Sequence, residues 1–155
     1  VERHAHDSDS APLDATLDEH RGLMETVSAV EGCLDSPPDR EGKWRSALVS
    51  ELARLTDALR CHFGTESQGA LYQEIPERFP RFAQRLRDLE AEHASILADA
   101  ESVLKLGREE TGDRIYEQRR LNARAQLLVA TLRRHEAEEN EIILSAHWDE
   151  VGAGD

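Results

Sequence analysis

An all-α fold, an antiparallel up-down-up-down four-helix bundle, is what this chain predicts, and three observations predict it. Apolar residues recur in alternating steps of four and three over four long stretches, the period of a helix with one buried stripe. Ala, Leu, Glu and Arg dominate while aromatics make up only 5%, a balance that favours helix over sheet. Short or modest segments separate the stretches, and short connections make successive helices run antiparallel. No β alternation, solenoid repeat or low-complexity run competes with this pattern.

A chain of 155 residues fits one domain and can bury a true core without staples. Residues 1–12 are polar and read as a flexible tail, residues 13–148 as the bundle, and residues 149–155 as a second tail. The first helix runs from about Leu13 to Leu34 and stops at Asp35-Ser36-Pro37-Pro38, because proline cannot continue it and biases its predecessor away from it. The second starts between about Asp39 and Lys43 and reaches about Gly69. Tyr72–Pro80, with Pro76 and Pro80, reads as a connecting loop. The third spans about Arg81 to Leu106, with Gly107 suited to a left-handed C-terminal cap. The fourth starts near Thr111–Asp113, either of which could be its N-cap, and continues to about Trp148.

Net charge is −13 and the isoelectric point near 4.9, which disfavours nucleic acid and anionic membranes as partners. No apolar run approaches a membrane span, and the N-terminus lacks an apolar signal core, so a cytoplasmic location is expected. The chain opens on Val1 rather than methionine, as a trimmed start would. Cys33 and Cys61 have neither metal-type spacing nor the number for a disulfide framework, and read as reduced thiols.

The apolar seams are interrupted in a particular way. The second helix presents Leu48, Leu52, Leu55, Leu59, His62 and Glu66 in one phase. The fourth presents Leu121, Ala125, Leu128, Leu132, His135, Glu139 and Ile142. His20 lies between Leu17 and Met24 on the face of Val27 and Leu34. His93 lies between Leu86 and Leu89 on one side and Ile96, Ala100 and Val103 on the other. Imidazoles and carboxylates at such positions cost several kcal/mol if charged and unpaired, and a metal ion compensates them. At about 1.5 Å rise per residue, His20 and His62 lie roughly 10 Å from the start and end of their helices. His93 lies roughly 18 Å into its helix, and His135 about 15–20 Å before the end of the fourth. In an antiparallel bundle all four fall toward one end, and Glu66 and Glu139 follow their histidines by four residues, on the same face.

Six imidazole and carboxylate donors without a thiolate point to a hard or borderline metal rather than copper(I) or structural zinc, and exceed the needs of one tetrahedral ion. Two metals, each with two histidines, bridged by Glu66 and Glu139, would use all six. Positions would remain open for water, hydroxide, oxide or a diatomic molecule. Iron is the leading choice, with manganese next.

With "LDEHRGLM", "LRCHFGTE", "EAEHASIL" and "RRHEAEENEI" in this order, the chain from about Leu13 to Trp148 resembles the hemerythrin-like proteins of the HHE cation-binding type. The resemblance implies a four-helix bundle with a non-haem, carboxylate-bridged di-iron centre. Its two iron ions would be joined by oxide or hydroxide, with His20, His62, His93 and His135 as terminal ligands and Glu66 and Glu139 as bridges. It implies a small-molecule ligand, O2, H2O2 or NO, and a monomer or weak homo-oligomer. The oxygen-carrying members have a second histidine one turn along the third helix, where this chain has Leu97. They also carry an aspartate five residues after the last histidine, where this chain has Asn140. One fewer protein ligand leaves a more open site. Reversible oxygen carriage therefore recedes, and catalase-like peroxide decomposition or redox response moves forward. The alternative is an O2/NO sensor or iron-handling protein without turnover.

The ferritin-like di-iron pattern needs Glu-x-x-His twice, and only Glu90–His93 supplies it. By helical phase Glu19, Glu92, Glu136, Glu138 and Glu141 face outward, with Glu138 the one placed to support a ligand. Tyr72 lies just beyond Glu66 and within possible reach of the site, whereas Tyr116 is too far along its helix. Phe63 and Leu97 flank the site and would limit its access to solvent. His4 and His6 sit in the tail, and His147 lies roughly 18 Å beyond His135, outside the site.

Overall fold

The computed structural model describes residues 11–109 and 114–152, and no strand occurs among them. Four long helices, α1 (Ala11–Asp35), α2 (Lys43–Glu66), α5 (Ala83–Arg108) and α6 (Arg114–Gly152), form the body. Helices α1 and α5 each pack against both α2 and α6. None is long and apolar enough to cross a membrane. The last helix outruns its expected end at Trp148, and its expected caps, Thr111 and Asp113, lie outside the described residues, as do His4 and His6.

The α1–α2 corner follows from its residues. Pro37 and Pro38 end α1, and the Asp39 carboxylate then accepts the backbone N–H groups of Glu41, Lys43 and Trp44 at 2.9, 3.0 and 2.7 Å. These are the donors a helix start leaves without partners. Gly42 supplies the left-handed conformation of the turn, at φ 82°. The buried Trp44 indole donates to the Cys33 carbonyl at 2.9 Å, tying α2 back to α1.

Two expectations fail here for physical reasons. The stretch expected as a loop contains two single-turn helices, α3 (Ala70–Gln73) and α4 (Ile75–Arg78), and a 3-10 turn, Pro80–Phe82. Pro76 and Pro80 sit in the first turns of their elements, where a missing N–H costs nothing, and Leu71, Tyr72, Ile75 and Phe82 are buried. Gly107 does not cap α5. It is a buried residue inside the helix, and a Cβ there would lie 2.8 Å from Val49 Cγ2. Glycine is there so that α2 can approach. Arg45 of α2 uses that approach, donating to the carbonyls of Gly107 at 2.7 Å and Leu106 at 3.3 Å and pairing with Glu117 at 3.0 Å.

The core divides into two apolar clusters. The larger takes Leu23, Val27 and Val30 of α1, Trp44 to Phe63 of α2, Ile96 to Leu104 of α5 and Leu121 to Leu132 of α6. The smaller takes Leu13, Leu71, Tyr72, Ile75, Phe82, Leu86, Leu89, Ile142, Ile143 and Ala146. Along every long helix the buried imidazoles and carboxylates fall at the edge of the larger cluster, and on α1, α5 and α6 between the two: His20, His62 and Glu66, His93, then His135, Glu136 and Glu139. The polar layer is thus closed off by packed hydrocarbon on both sides.

Candidate metal centre

All six residues singled out in the sequence meet in this layer, each less than one-tenth exposed. Helix α1 brings His20, the last turn of α2 brings His62 and Glu66, α5 brings His93, and α6 brings His135 and Glu139. The Nε2 atoms of the four imidazoles point at the two carboxylates. Glu66 lies 2.6 Å from Nε2 of His20, 3.2 Å from that of His62 and 3.7 Å from that of His93. Glu139 lies 3.1 Å from Nε2 of His135, 3.4 Å from that of His93 and 3.5 Å from that of His20. Each carboxylate therefore reaches histidines of three different helices.

The outward ring nitrogens are held as well. His20 Nδ1–H donates to Asn140 Oδ1 at 2.7 Å, so the amide that stands where a carrier has its aspartate orients an imidazole. His135 Nδ1 lies 3.1 Å from Glu92 Oε2, which also pairs with Arg134 at 2.8 Å. Phe63 stacks on His93 with ring centroids 4.1 Å apart and planes 6° from parallel, and meets His135 edge-on. Leu97 is half-buried against the larger apolar cluster.

Sequence reading misplaced three glutamates and left Tyr72 without a role. Glu136, expected on the solvated face, is 1% exposed. Because α6 packs against both α1 and α5, its buried stripe is broad enough to include the position after His135. The signal was present: Val129, Glu136 and Ile143 repeat every seven residues, and both hydrophobic members are buried. Glu92, also expected to be free, supports His135. Glu138 does not support the site but pairs with Arg134 at 2.8 Å. Tyr72, which the sequence left near the fraying end of α2, enters from α3. Its hydroxyl donates to Glu139 Oε1 and lies 3.3 Å from His93 Nε2. Glu19 and Glu141 are exposed as expected, Tyr116 is exposed, and His147 is half-buried near the end of α6.

The electrostatics are those of charges crowded in a dry place. Burial opposes a charge on His20, but the Glu66 hydrogen bond and the Glu136 and Glu66 charges prevail and raise it to about 9. His62 and His135 are raised by the same contest, with Glu66 and Glu139 respectively as main partners. Burial would raise Glu66 and Glu139, yet their histidine partners hold both below the ordinary carboxylate value. Glu136 has no such hydrogen bond, and burial pushes it up to about 7. Burial and the Glu139 charge push the Tyr72 phenol far above its usual range.

Several of these atoms lack hydrogen-bond partners: Nε2 of His62 and His135, Oε2 of Glu66 and Glu139, Nδ1 of His93 and both oxygens of Glu136. Each such buried group costs about 1–3 kcal/mol. Nitrogen and oxygen atoms left over in this way are the donor set of a first-row divalent metal. Two groupings bring their donor atoms within 4.8 Å of one another, His20, His62, Glu136 and Glu139 in one and His93, His135 and Glu139 in the other. The residues present fit metal ions.

The sequence model of the family described as Hemerythrin HHE cation binding domain matches residues 11–146. No curated protein and no solved structure matches the chain.

Proposed function

Since the chain belongs to the hemerythrin HHE cation-binding family and buries a histidine–glutamate cluster, we propose that it is a non-haem di-iron protein whose reaction is the decomposition of peroxide. His20 and His62 would hold one iron, His93 and His135 the other, with Glu66 and Glu139 spanning the pair. The distances from each carboxylate to both histidine pairs support that assignment. The order of the two apolar clusters along α1, α5 and α6, and of the larger cluster and the polar layer along α2, supports an antiparallel up-down-up-down bundle around them. Bound iron would supply the redox change by which two molecules of hydrogen peroxide become two of water and one of oxygen.

The observation that carries the reaction class is Leu97. It stands one turn beyond His93, where an oxygen carrier has a further imidazole, and it packs into hydrocarbon. The His93–His135 side is thus short of protein donors and can admit an exogenous oxygen species. Tyr72 is next to that side, and its raised pKa keeps it a neutral phenol that donates a hydrogen bond and does not act as a base. Asn140 and Glu92 fix the rings of His20 and His135, which keeps Nε2 of each turned inward. Phe63 and the two apolar clusters restrict water.

Protein produced in iron-replete cells should contain about two irons per chain and release oxygen from hydrogen peroxide. Glu66→Ala or His135→Ala should abolish both iron content and turnover, and His147→Ala neither. One tightly held zinc with no iron uptake would sink the di-iron reading. A stable, reversible oxygen adduct without peroxide turnover would replace catalysis by carriage or sensing.

A further inference from the structure

We propose that Glu136 is itself a metal ligand, serving only the position at His20 and His62, so that the two metal positions are unequal. The inference rests on the di-metal reading above and adds a donor to it.

Glu136 is almost wholly buried, and neither of its oxygens has a hydrogen-bond partner. A surface carboxylate can remain so because water solvates it. A carboxylate almost wholly buried where α6 packs against α1 and α5 cannot. Protonation would not relieve it, since a buried hydroxyl also needs an acceptor. Valine or isoleucine, which occupy the equivalent positions one heptad away on either side, would fill the space without that cost. With two imidazoles at ion-pair distance but no hydrogen-bond donor, the carboxylate is left to a cation that it can share with them.

Its surroundings indicate which one. Oε1 lies 3.7 Å from His62 Nε2, and Oε2 lies 3.4 Å from His20 Nδ1. A lesser role, accepting the His20 Nδ1–H, is already filled by Asn140 at 2.7 Å. Glu136 shares one donor grouping with His20, His62 and Glu139, and is absent from the other, which Glu139 forms with His93 and His135. The Tyr72 hydroxyl is beside that second grouping. One position thus has an extra anionic donor, and the other has a neutral phenol and one protein donor fewer. Charge agrees: Glu66, Glu139 and Glu136 together offset three of the four charges of two divalent ions, where the two bridging carboxylates alone would offset two. In a core of low dielectric the smaller residual charge is favoured.

The test uses anaerobic titration of the metal-free full chain with Fe(II), followed by Mössbauer spectroscopy of the loaded protein. The wild type should take up two irons in two resolved steps and show two quadrupole doublets of equal area. Glu136→Gln should weaken the tighter step by more than about tenfold, a loss that even a residue supporting a ligand brings, and should alter one doublet only. His93→Ala should remove the weaker step instead. Glu136→Leu adds a readout free of metal: by deleting an unpartnered carboxylate it should raise the melting temperature of the metal-free protein while abolishing the tighter step. If Glu136→Gln kept both affinities and both doublets of a two-iron wild type, Glu136 would not be a ligand, although the di-iron reading would stand. A wild type that takes up fewer than two ions would fail that reading and the inference with it.

Discussion

Tyr72 shows how a single side chain reaches the centre without belonging to any long helix. Its ring is buried in the smaller apolar cluster while its hydroxyl donates to Glu139. The carboxylate has another oxygen with no partner, so it depends on the phenol more than an exposed carboxylate would. A hydrogen bond to a charged, buried acceptor contributes about 1–3 kcal/mol. Tyr72→Phe should therefore destabilise the metal-free protein by about that amount, measured by urea unfolding. In a Glu139→Gln background the same substitution should cost much less. Equal losses in both backgrounds would show that the phenol stabilises the fold through its ring alone. Sequence alone could not assign this role, because the contact is made across sixty-seven residues of chain by the single-turn helix α3, at the start of a stretch that its two prolines make read as a loop. The six seam residues were legible for the opposite reason. Each interrupts a long apolar period, and a polar residue in the phase of a buried stripe has nowhere to face but inward.

Period alone also sets the limits at the scale of elements. The four long helices follow from repeated steps of four and three, whereas Glu136 was misplaced because α6 buries two adjacent stripes rather than one. Gly107 was misplaced because glycine near a helix end has two meanings, a left-handed cap and a close approach, and only the neighbouring helix decides between them. Here the neighbour is Val49, whose β-branched side chain cannot swing away cheaply. Alanine at position 107 would gain about 1 kcal/mol in helix propensity. Against it, a Cβ at 2.8 Å from a methyl group should cost about 1–3 kcal/mol of overpacking. Strain should win, so Gly107→Ala should lower the thermal midpoint. In a Val49→Ala background the clash disappears, and the same change should be neutral or stabilising. A loss undiminished by Val49→Ala would trace the requirement for glycine to something other than the α2–α5 approach.

For the whole molecule, the centre is a polar layer clamped between two hydrocarbon clusters, and its cost without metal is shared by all four long helices. In the metal-free protein His20 is raised from 6.5 to about 9, so the stability it contributes is complete below pH 6.5 and lost as pH rises through 9. Glu136, raised from 4.5 to about 7, has the same sign and loses its contribution as pH rises through 7. His62 and His135 are also raised. Glu66 and Glu139 are depressed, so their contributions are present above 4.5 and are lost only in acid. Between pH 6.5 and 9 every site group that changes therefore weakens the metal-free fold. Metal binding runs the other way, because the donors must be deprotonated and binding releases protons. A ligand at a thousand times its Kd adds about 4 kcal/mol of stability, so the loaded protein should already melt well above the chelated one at pH 6.5. That gap in melting temperature should widen steadily toward pH 9, in calorimetric scans at matched ionic strength. A gap that stayed constant or narrowed would mean that these imidazoles and carboxylates are not what the metal binds.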